Sequence, residues 1–303
     1  MSTNFENLVT NEPKGSDLSS GMQSISEAEK VKRDTYTDDE LRDVNNITVT
    51  IPDTRTPIVV FFGSQASGKT LALLRMIRFL ESESQGYTIE PEYVFRPQTD
   101  KHYKEMCDGL KNLAYNQYAP GGNDVISFML VRVLDQGAHP VCQILEAPGE
   151  HYFDGTPNLN FPTYIHNICA APNPKIWVFF VEQDWGVNDN ERNMYAQKIC
   201  SMQELIMPQD RIIFLFNKCD KKPHQYLTNR HPKVSAFFER IQGQYPNIFA
   251  RYTRQGIASF LFGKYSFQQV CFSAGTFTRT NNNKEVWIPG QDFYCQDLWN
   301  LIK

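Results

Sequence analysis

A segment in the first quarter of the chain has the residue types and spacing of a phosphate-binding loop. It fits the pattern G-x-x-x-x-G-K-[S/T] with Gly63-Ser64-Gln65-Ala66-Ser67-Gly68-Lys69-Thr70. In such a loop the glycines let backbone N–H groups point at phosphate oxygens, the lysine reaches the β and γ oxygens, and the hydroxyl ligates Mg²⁺. We therefore predict that residues 63–70 bind the phosphates of a nucleotide and that Thr70 ligates magnesium.

A second polar tetrapeptide follows an apolar run at residues 211–216. It reads Asn217-Lys218-Cys219-Asp220 and fits N-K-x-D, the motif by which GTPases select guanine. With this motif the chain resembles the Ras-like, translation-factor-related (TRAFAC) class of P-loop GTPases. The resemblance implies that Asp220 accepts two hydrogen bonds from guanine, that the stem of Lys218 packs over the base, and that Asn217 ties the loops together.

Two further segments stand where that class has its remaining motifs. Glu146-Ala147-Pro148-Gly149 occupies the place of D-x-x-G, with Glu146 instead of aspartate. The resemblance implies that the Gly149 N–H contacts the γ-phosphate in a loop that tightens with GTP. It also implies that Glu146 holds magnesium through a water. Ser273-Ala274-Gly275 matches the S-A-[K/G] loop, whose backbone supports guanine.

Hydrolysis of GTP requires a positioned water beside the γ-phosphate. The resemblance assigns this role to Glu150, the residue after the motif glycine, with His151 as the alternative; neither is the usual glutamine. A carboxylate there adds negative charge beside the phosphate, which is unfavourable. The interior of the loop resembles the dynamin type, in which polar side chains such as Ser64 and Gln65 assist hydrolysis together with Lys69.

A further candidate lies in the long polar stretch between the first predicted helix and the next predicted strand. Arg96-Pro97-Gln98-Thr99 has the R-x-x-T spacing of the Gα switch. By that resemblance, Arg96 is a catalytic arginine finger and Thr99 a second protein ligand of magnesium. The plainer interpretation is an exposed loop.

These motifs need strands and helices to position them, and apolar periodicity predicts both. The run at 57–62 is continuously apolar, as expected of a strand buried on both faces. Further strands are predicted at 126–134, 140–147, 175–181, 211–216 and 268–273. Helices are predicted at 69–80, 101–116, 161–171, 189–206, 232–245 and 294–303. This alternation is typical of a mostly parallel sheet with helices on both faces.

The second and third of these strands are separated only by residues 135–139. Parallel neighbours need a crossover of roughly a dozen residues, so a hairpin is the economical arrangement. An antiparallel pair at this place is also a mark of the TRAFAC class. The predicted fold is therefore α/β: a three-layer P-loop NTPase fold with a mostly parallel sheet and one antiparallel strand. Residues 47–51 alternate and are predicted to add an edge strand.

The chain divides into an arm and a domain. Residues 1–45 are polar and poor in apolar side chains, so they are predicted to be a disordered arm. Residues 46–303 are predicted to form the GTPase domain, with a long switch I insertion at 82–125 and a second atypical stretch at 246–267.

Composition excludes several classes of function. The formal net charge of -4 argues against binding of nucleic acid, and no apolar run is long enough for a transmembrane segment. The seven cysteines are scattered without a C-x-x-C pair, which indicates neither a zinc site nor a disulfide framework. We expect a reduced, cytoplasmic protein.

Taken together, the residues predict a molecular switch that binds GTP or GDP with Mg²⁺. It would hydrolyse GTP slowly to GDP and phosphate, and engage a protein effector or a second copy through its switch regions. A GTP-dependent assembly or scaffold module with little hydrolysis is an alternative. A P-loop ATPase is another, which the N-K-x-D motif opposes.

Overall fold

A computed structural model describes residues 37–116, 128–182, 185–220, 233–279 and 285–303. The strands are β1 (Ile58–Phe62), β2 (Thr88–Pro91), β3 (Met129–Leu134), β4 (Pro140–Glu146), β5 (Lys175–Glu182), β6 (Arg211–Asn217), β7 (Gln268–Cys271), β8 (Gly275–Arg279) and β9 (Glu285–Pro289). The helices are α1 (Asp38–Arg42), α2 (Lys69–Leu80), α3 (Lys101–Tyr115), α4 (Gly149–Tyr152), α5 (Thr163–Ala170), α6 (Asp189–Ser201), α7 (Val234–Gln244), α8 (Gly256–Phe262) and α9 (Asp292–Ile302). Short 3₁₀ turns lie at Val44–Asn46, Met202–Glu204 and Ala250–Tyr252.

Seven strands form one sheet in the order β2-β3-β4-β1-β5-β6-β7. The pairs β4-β1, β1-β5, β5-β6 and β6-β7 are parallel, whereas β3 is antiparallel to both of its neighbours, β2 and β4. Within the described sheet, β3 is therefore the strand that runs against the others. This confirms the predicted fold class and the predicted hairpin of β3 and β4. Strands β8 and β9 form a separate antiparallel pair.

The central strands are buried on both faces. All side chains of β1 and β5 are buried, and the same apolar cluster takes in side chains from α2, α6 and α9. A parallel sheet needs this double cover because its crossover helices pack on both sides. The carboxyl ends of the parallel strands β1, β4, β6 and β7 consequently lie at the same end of the sheet, and the polar motifs stand where these strands end.

The outermost strand next to β3 is not the one that the sequence predicts. Residues 47–51 are not a strand, which makes that prediction wrong. They run along the domain as extended chain, and Thr50 N donates to Phe95 O at 2.8 Å. The edge position belongs to β2, which pairs with β3 from Thr88↔Leu134 to Pro91↔Val131. Alternation alone says that a segment is extended but not which strand it pairs with, and here the backbone partners of β3 are taken by β2.

Part of the predicted arm is folded onto the domain. Residues 38–46 contain α1 and a 3₁₀ turn, and α1 begins with a capping box between Thr37 and Glu40. The side-chain oxygen of Asn45 accepts hydrogen bonds from the backbone N and the hydroxyl of Thr163, at the start of α5. Ordered structure thus begins before residue 46. Residues 1–36 of the arm, and residues 117–127 of the predicted insertion, lie outside the described residues.

None of the helices in the described ranges has the length and apolarity that crossing a bilayer would require.

Candidate functional site

The predicted phosphate loop connects β1 to α2, which begins at Lys69. Two of its residues have left-handed backbone conformation, Ala66 (φ 58°) and Gly68 (φ 90°). A Cβ at position 68 would lie 2.6 Å from Nδ2 of Asn217, so this position needs glycine both for its conformation and for the close approach. The loop therefore makes a tight turn of the kind that phosphate-binding loops use.

Lys69 lies across its own loop. Its buried Nζ donates to the carbonyl oxygens of Gly63 at 3.1 Å and Ser64 at 3.0 Å. Burial lowers the pKa of Lys69, while the nearby carboxylates of Glu146 and Glu150 act in the opposite direction. An anion held in the loop would stabilise this buried ammonium further, because an opposite charge at short range favours the charged form.

Thr70 and Glu146 form a pair of oxygen donors. The Thr70 hydroxyl donates to Oε1 of Glu146 at 2.7 Å, and the second oxygen, Oε2, is buried with no hydrogen-bond partner among the described residues. Burial raises the pKa of Glu146 to about 7, against the opposing effects of the Lys69 charge and the Thr70 hydrogen bond. A hydroxyl and a carboxylate are hard oxygen ligands of the kind that Mg²⁺ prefers. The longer glutamate side chain thus still reaches the threonine, and the residues present fit the ion.

The Glu146–Gly149 segment packs directly on the phosphate loop. A Cβ at position 149 would lie 2.6 Å from Cα of Gln65, so the two backbones approach closely. On the loop itself, the hydroxyl of Ser67 is buried and has no hydrogen-bond partner within the described part of the chain. An unpartnered buried hydroxyl beside Lys69 fits a phosphate oxygen, because such a group is costly unless it is paired.

Three of the four motifs that the sequence spreads over the chain meet at one cavity of about 340 Å³. The phosphate loop and α2 contribute Gly68 and Leu71, and the N-K-x-D motif contributes Asn217, Lys218 and Asp220. The Ser273–Gly275 motif and β8 contribute Ala274, Gly275, Thr276 and Phe277. The cavity lies beside the loop, where a base attached to loop-bound phosphates would be placed.

Asn217 and Lys218 connect this cavity to the phosphate loop. Nδ2 of Asn217 donates to the Ser67 carbonyl oxygen at 2.7 Å. Lys218 has left-handed backbone conformation (φ 57°), and its Nζ donates to the Ala66 carbonyl oxygen at 3.1 Å and pairs with Glu182. This arrangement holds the stem of Lys218 along the wall of the cavity.

Glu182 is a buried neighbour of the candidate site that sequence reasoning missed. It is the last residue of β5 and is buried, and its partner Lys218 follows the neighbouring strand β6. The signal that could have identified Glu182 is its position, because it is a carboxylate at the end of a strand that pairs with both β1 and β6.

The Ser273–Gly275 motif continues into the β8-β9 hairpin, which was not predicted from the sequence. The Ser273 hydroxyl accepts from Gly275 N at 3.1 Å, and Nε1 of Trp287 in β9 donates to the Ala274 carbonyl oxygen at 3.0 Å. Gly275 has φ 118°, and a Cβ there would lie 2.6 Å from Gly290 N. The hairpin thus holds the backbone of the loop in place behind the cavity.

The candidate catalytic side chains fall into two groups. Gln65 and Glu150 are exposed, and Glu150 is close enough to Lys69 and Glu146 to influence the pKa of both. His151 is buried instead, with its Nδ1 2.7 Å from the Tyr164 hydroxyl. Glu150 is consequently the better placed of the two neighbours to meet a water.

Arg96 lies in a buried cluster with Glu40 of α1, and Thr99 is not among its partners in the described part of the chain. Every hydrogen bond of the Arg96 guanidinium goes to Glu40, Thr48 or Asp100, and the side chain is buried. Thr99 is exposed, one residue before the N-cap of α3. The structure therefore brings Arg96 to the N-terminal segment, in a structural arrangement that the R-x-x-T spacing did not predict.

The sequence matches no protein-family profile and no curated protein. Among solved structures, the fold is similar to the GTPase-like domain of Saccharomyces cerevisiae Ski7 bound to GTP, with TM-score 0.39 and 15% identity over 82% of this chain and 50% of that one. The same domain bound to GDP and inorganic phosphate has TM-score 0.39 and 14% identity over 87% and 52%. The RocCORdC structure of Methanosarcina barkeri Roco2 bound to GDP has TM-score 0.32 and 9% identity over 75% and 46%.

The chain spans about half the length of the solved structures that it matches. With TM-scores this low, the similarity does not by itself identify a family.

Proposed function

We propose that this protein binds a guanine nucleotide with Mg²⁺ and acts as a GTP-dependent molecular switch. One observation carries the proposal: Gly68, the Asn217–Asp220 motif and the Ala274–Gly275 loop line the same cavity, next to a loop with a buried lysine. These segments are far apart in the sequence, so the fold alone brings them together in the arrangement that a nucleotide needs.

The choice of guanine as the base is our inference from Asp220. A carboxylate accepts hydrogen bonds and donates none when it is ionised. Guanine presents two adjacent N–H donors on its Watson–Crick edge, whereas adenine presents no such pair. Lys218, held along the cavity wall by Ala66 and Glu182, offers an apolar stem for the flat face of the base.

The phosphates and the metal are assigned to the other end of the site. Backbone N–H groups of residues 63–70 and the Lys69 ammonium would hold the phosphates, and Thr70 with Glu146 would hold Mg²⁺. The metal ion, when bound, neutralises charge on the β and γ oxygens. Gly149, in contact with the loop backbone, would report whether a γ-phosphate is present.

Slow hydrolysis to GDP and phosphate is the activity that we assign to the site. Glu150 is exposed beside Lys69 and Glu146, so it is our candidate to orient the attacking water. The Glu150 carboxylate would be a second negative group next to the phosphates and would repel the negative charge that develops there, so the rate of hydrolysis should be low. For the same reason, a GTP-dependent assembly module with no hydrolysis is the second candidate function, with a protein effector or a second copy at the switch segments.

The choice of base is tested by measuring affinities for GTP, ATP and XTP in the presence of Mg²⁺. We expect GTP to bind at least about 100-fold more tightly than ATP, since adenine would leave the Asp220 carboxylate without the two donors that guanine offers. Asp220→Asn should weaken the binding of GTP and strengthen the binding of XTP. Asp39→Asn, at an exposed residue of α1, should change neither affinity. Equal competition by ATP and GTP would show that the guanine assignment is wrong.

Hydrolysis is tested separately by single-turnover phosphate release. Glu150→Ala should lower the rate by about 100-fold if Glu150 positions the water, whereas Gln65→Ala tests the contribution of the loop. His151→Ala should mainly lower thermal stability, because it removes the buried contact with Tyr164. If the wild type binds GTP but releases no phosphate, the assembly module is the correct function and the switch enzyme is not.

A further inference from the structure

The chain between α7 and β7 contains an exposed apolar helix on a closed stem. Thr253 and Tyr265 form an isolated antiparallel bridge, and Arg254 N donates to the Lys264 carbonyl oxygen at 2.7 Å. Helix α8 lies between these stem residues. We call residues 253–265 the apolar finger.

The tip of the finger exposes large apolar side chains. Ile257, Phe260, Leu261 and Phe262 are between 62% and 88% exposed and are the four most exposed large apolar residues of the described chain. The flanking Gly256 and Gly263 have left-handed φ, and a Cβ at either would meet no atom within 4 Å. A contiguous apolar projection of this kind is unusual on a soluble surface and marks an interaction site.

The finger is held in its projecting position. The Arg254 guanidinium donates to the carbonyl oxygens of Phe262 at 2.7 Å and Tyr265 at 2.6 Å, which closes the end of α8 onto the stem. Below the stem, Ser266 N donates to the carbonyl oxygen of Tyr252, whose buried hydroxyl donates in turn to Ile199 O at 2.6 Å. The apolar tip is thus presented to solvent by a structure anchored in the core.

The sequence segment that contains the finger is opposite in charge to the whole chain, although Glu204, from another segment, lines a cavity together with Arg251. Residues 246–271 contain Arg251, Arg254 and Lys264 and no aspartate or glutamate, although the formal net charge of the chain is -4. Arg251 and Lys264 are exposed, and Lys264 lies over the ring of Tyr265, 5.3 Å from its centroid. Cationic and aromatic side chains at the base of an apolar tip are typical of segments that sit in the interface of an anionic bilayer.

The shape of the tip favours a bilayer over a protein groove. At 100° per residue, the apolar side chains of α8 spread over about 200° of the helix circumference and leave the side of Gly256 and Ser259 free of them. This arc is wider than the stripe of about 100° by which a surface helix contacts one protein face, whereas hydrocarbon can surround an inserted tip over such an arc. The finger directly precedes β7, so it lies at the amino end of that strand. The phosphate loop and the N-K-x-D motif lie at the carboxyl ends of β1 and β6, which is the opposite end of the parallel strands.

We propose that the apolar finger inserts into the surface of a bilayer that contains anionic lipids. Ile257, Phe260, Leu261 and Phe262 enter the acyl boundary, and Arg251 and Lys264 contact the anionic headgroups. The nucleotide site remains open to solution in this orientation. This inference does not depend on the identity of the nucleotide.

The experiment is co-sedimentation of the full chain with large unilamellar vesicles. One set contains only phosphatidylcholine and the other contains about 30% phosphatidylserine, a strongly anionic surface. We expect binding to the anionic vesicles and little to the neutral ones. Phe260→Ser with Leu261→Ser should weaken binding at least about 100-fold, because each buried side chain of this size contributes roughly tenfold or more. Arg251→Gln with Lys264→Gln should weaken it roughly 25-fold, about fivefold per charge.

A matched control is Val94→Ser, which removes another exposed apolar side chain far from the finger in sequence and should leave binding unchanged. Because all these side chains are exposed, thermal stability should also stay unchanged. A tryptophan placed by Leu261→Trp should shift its emission to the blue on anionic vesicles.

Equal sedimentation with both kinds of vesicle, or full binding by the Phe260→Ser, Leu261→Ser variant, would overturn the proposal. So would light scattering that shows a wild-type dimer and a monomeric Phe260→Ser, Leu261→Ser variant, since the finger would then bind a second copy.

Discussion

Replacing Arg96 by methionine should remove the cation from a buried cluster of two carboxylates. Nη2 of Arg96 donates to both oxygens of Glu40, at 2.7 and 2.8 Å, and Nε donates to Asp100 at 3.0 Å. Nη1 donates to the Thr48 carbonyl oxygen at 2.9 Å. The guanidinium is 2% exposed, and the carboxylate side chains of Glu40 and Asp100 are 6% and 10% exposed.

The expected cost follows from the two charges that would remain. Removing one member of a buried ion pair costs about 3–5 kcal/mol, and the upper half of that range applies because two carboxylates lose one cation. An unfolding entropy of roughly 2.1 cal/mol/K per residue amounts to about 0.6 kcal/mol/K for this chain. Arg96→Met should therefore lower Tm by roughly 6–8 °C.

The measurement is urea and thermal unfolding followed by circular dichroism. Arg42→Met is the matched control, because Arg42 lies 3.7 Å from Asp39 in a pair whose side chains are both 80% exposed. Such a surface pair contributes at most about 1 kcal/mol, so this variant should unfold nearly as the wild type does. A loss of stability no larger than that of the control would refute the structural role of Arg96. If stability is retained while GTP hydrolysis is abolished, Arg96 is instead the arginine finger that its spacing with Thr99 predicts.

Three further predictions concern the site and the core. Gly149→Ala should weaken GTP binding at least about tenfold in a fluorescent-nucleotide titration, since the added methyl group would meet the backbone of the phosphate loop. Gly186→Ala is the control, because the space around Gly186 is open, and equal affinities of the two variants would contradict the contact. Asn217→Ala should weaken the same binding by about 1–2 kcal/mol through loss of its bond to the Ser67 carbonyl, and an unchanged affinity would show that the bond does not order the loop. Cys200 is partly exposed and the other six cysteines are buried. Burial raises the pKa of Cys200 and raises the pKa of four of the buried thiols to about 12. Ellman's reagent at about pH 8 should therefore reach one thiol in the native protein and all seven in guanidinium, whereas several fast native thiols would contradict the packing.

The interior strands and the main helices could be predicted from the sequence. Strand β1 and helix α2 were predicted within one residue of their bounds, and the short connection at 135–139 predicted the β3-β4 hairpin. These features depend on local periodicity and on connection length, which the sequence contains directly. The short edge strand β2 and the β8-β9 pair were missed, because neither has a long apolar run and each depends on the segment that pairs with it.

What the sequence determined by itself is the residue types, the spacing and the order along the chain of the motifs on which the nucleotide proposal rests. Lys69, Thr70 and the Asn217–Asp220 motif are recognisable by residue type and spacing alone, since their roles depend on short stretches of backbone. Only the tertiary structure decided that Glu182 pairs with Lys218 and that Glu40 engages Arg96. It also decided that the apolar residues of α8 face solvent while similar residues elsewhere are buried. Such outcomes depend on contacts between distant segments, and these are set by packing and charge pairing in three dimensions and not by local pattern.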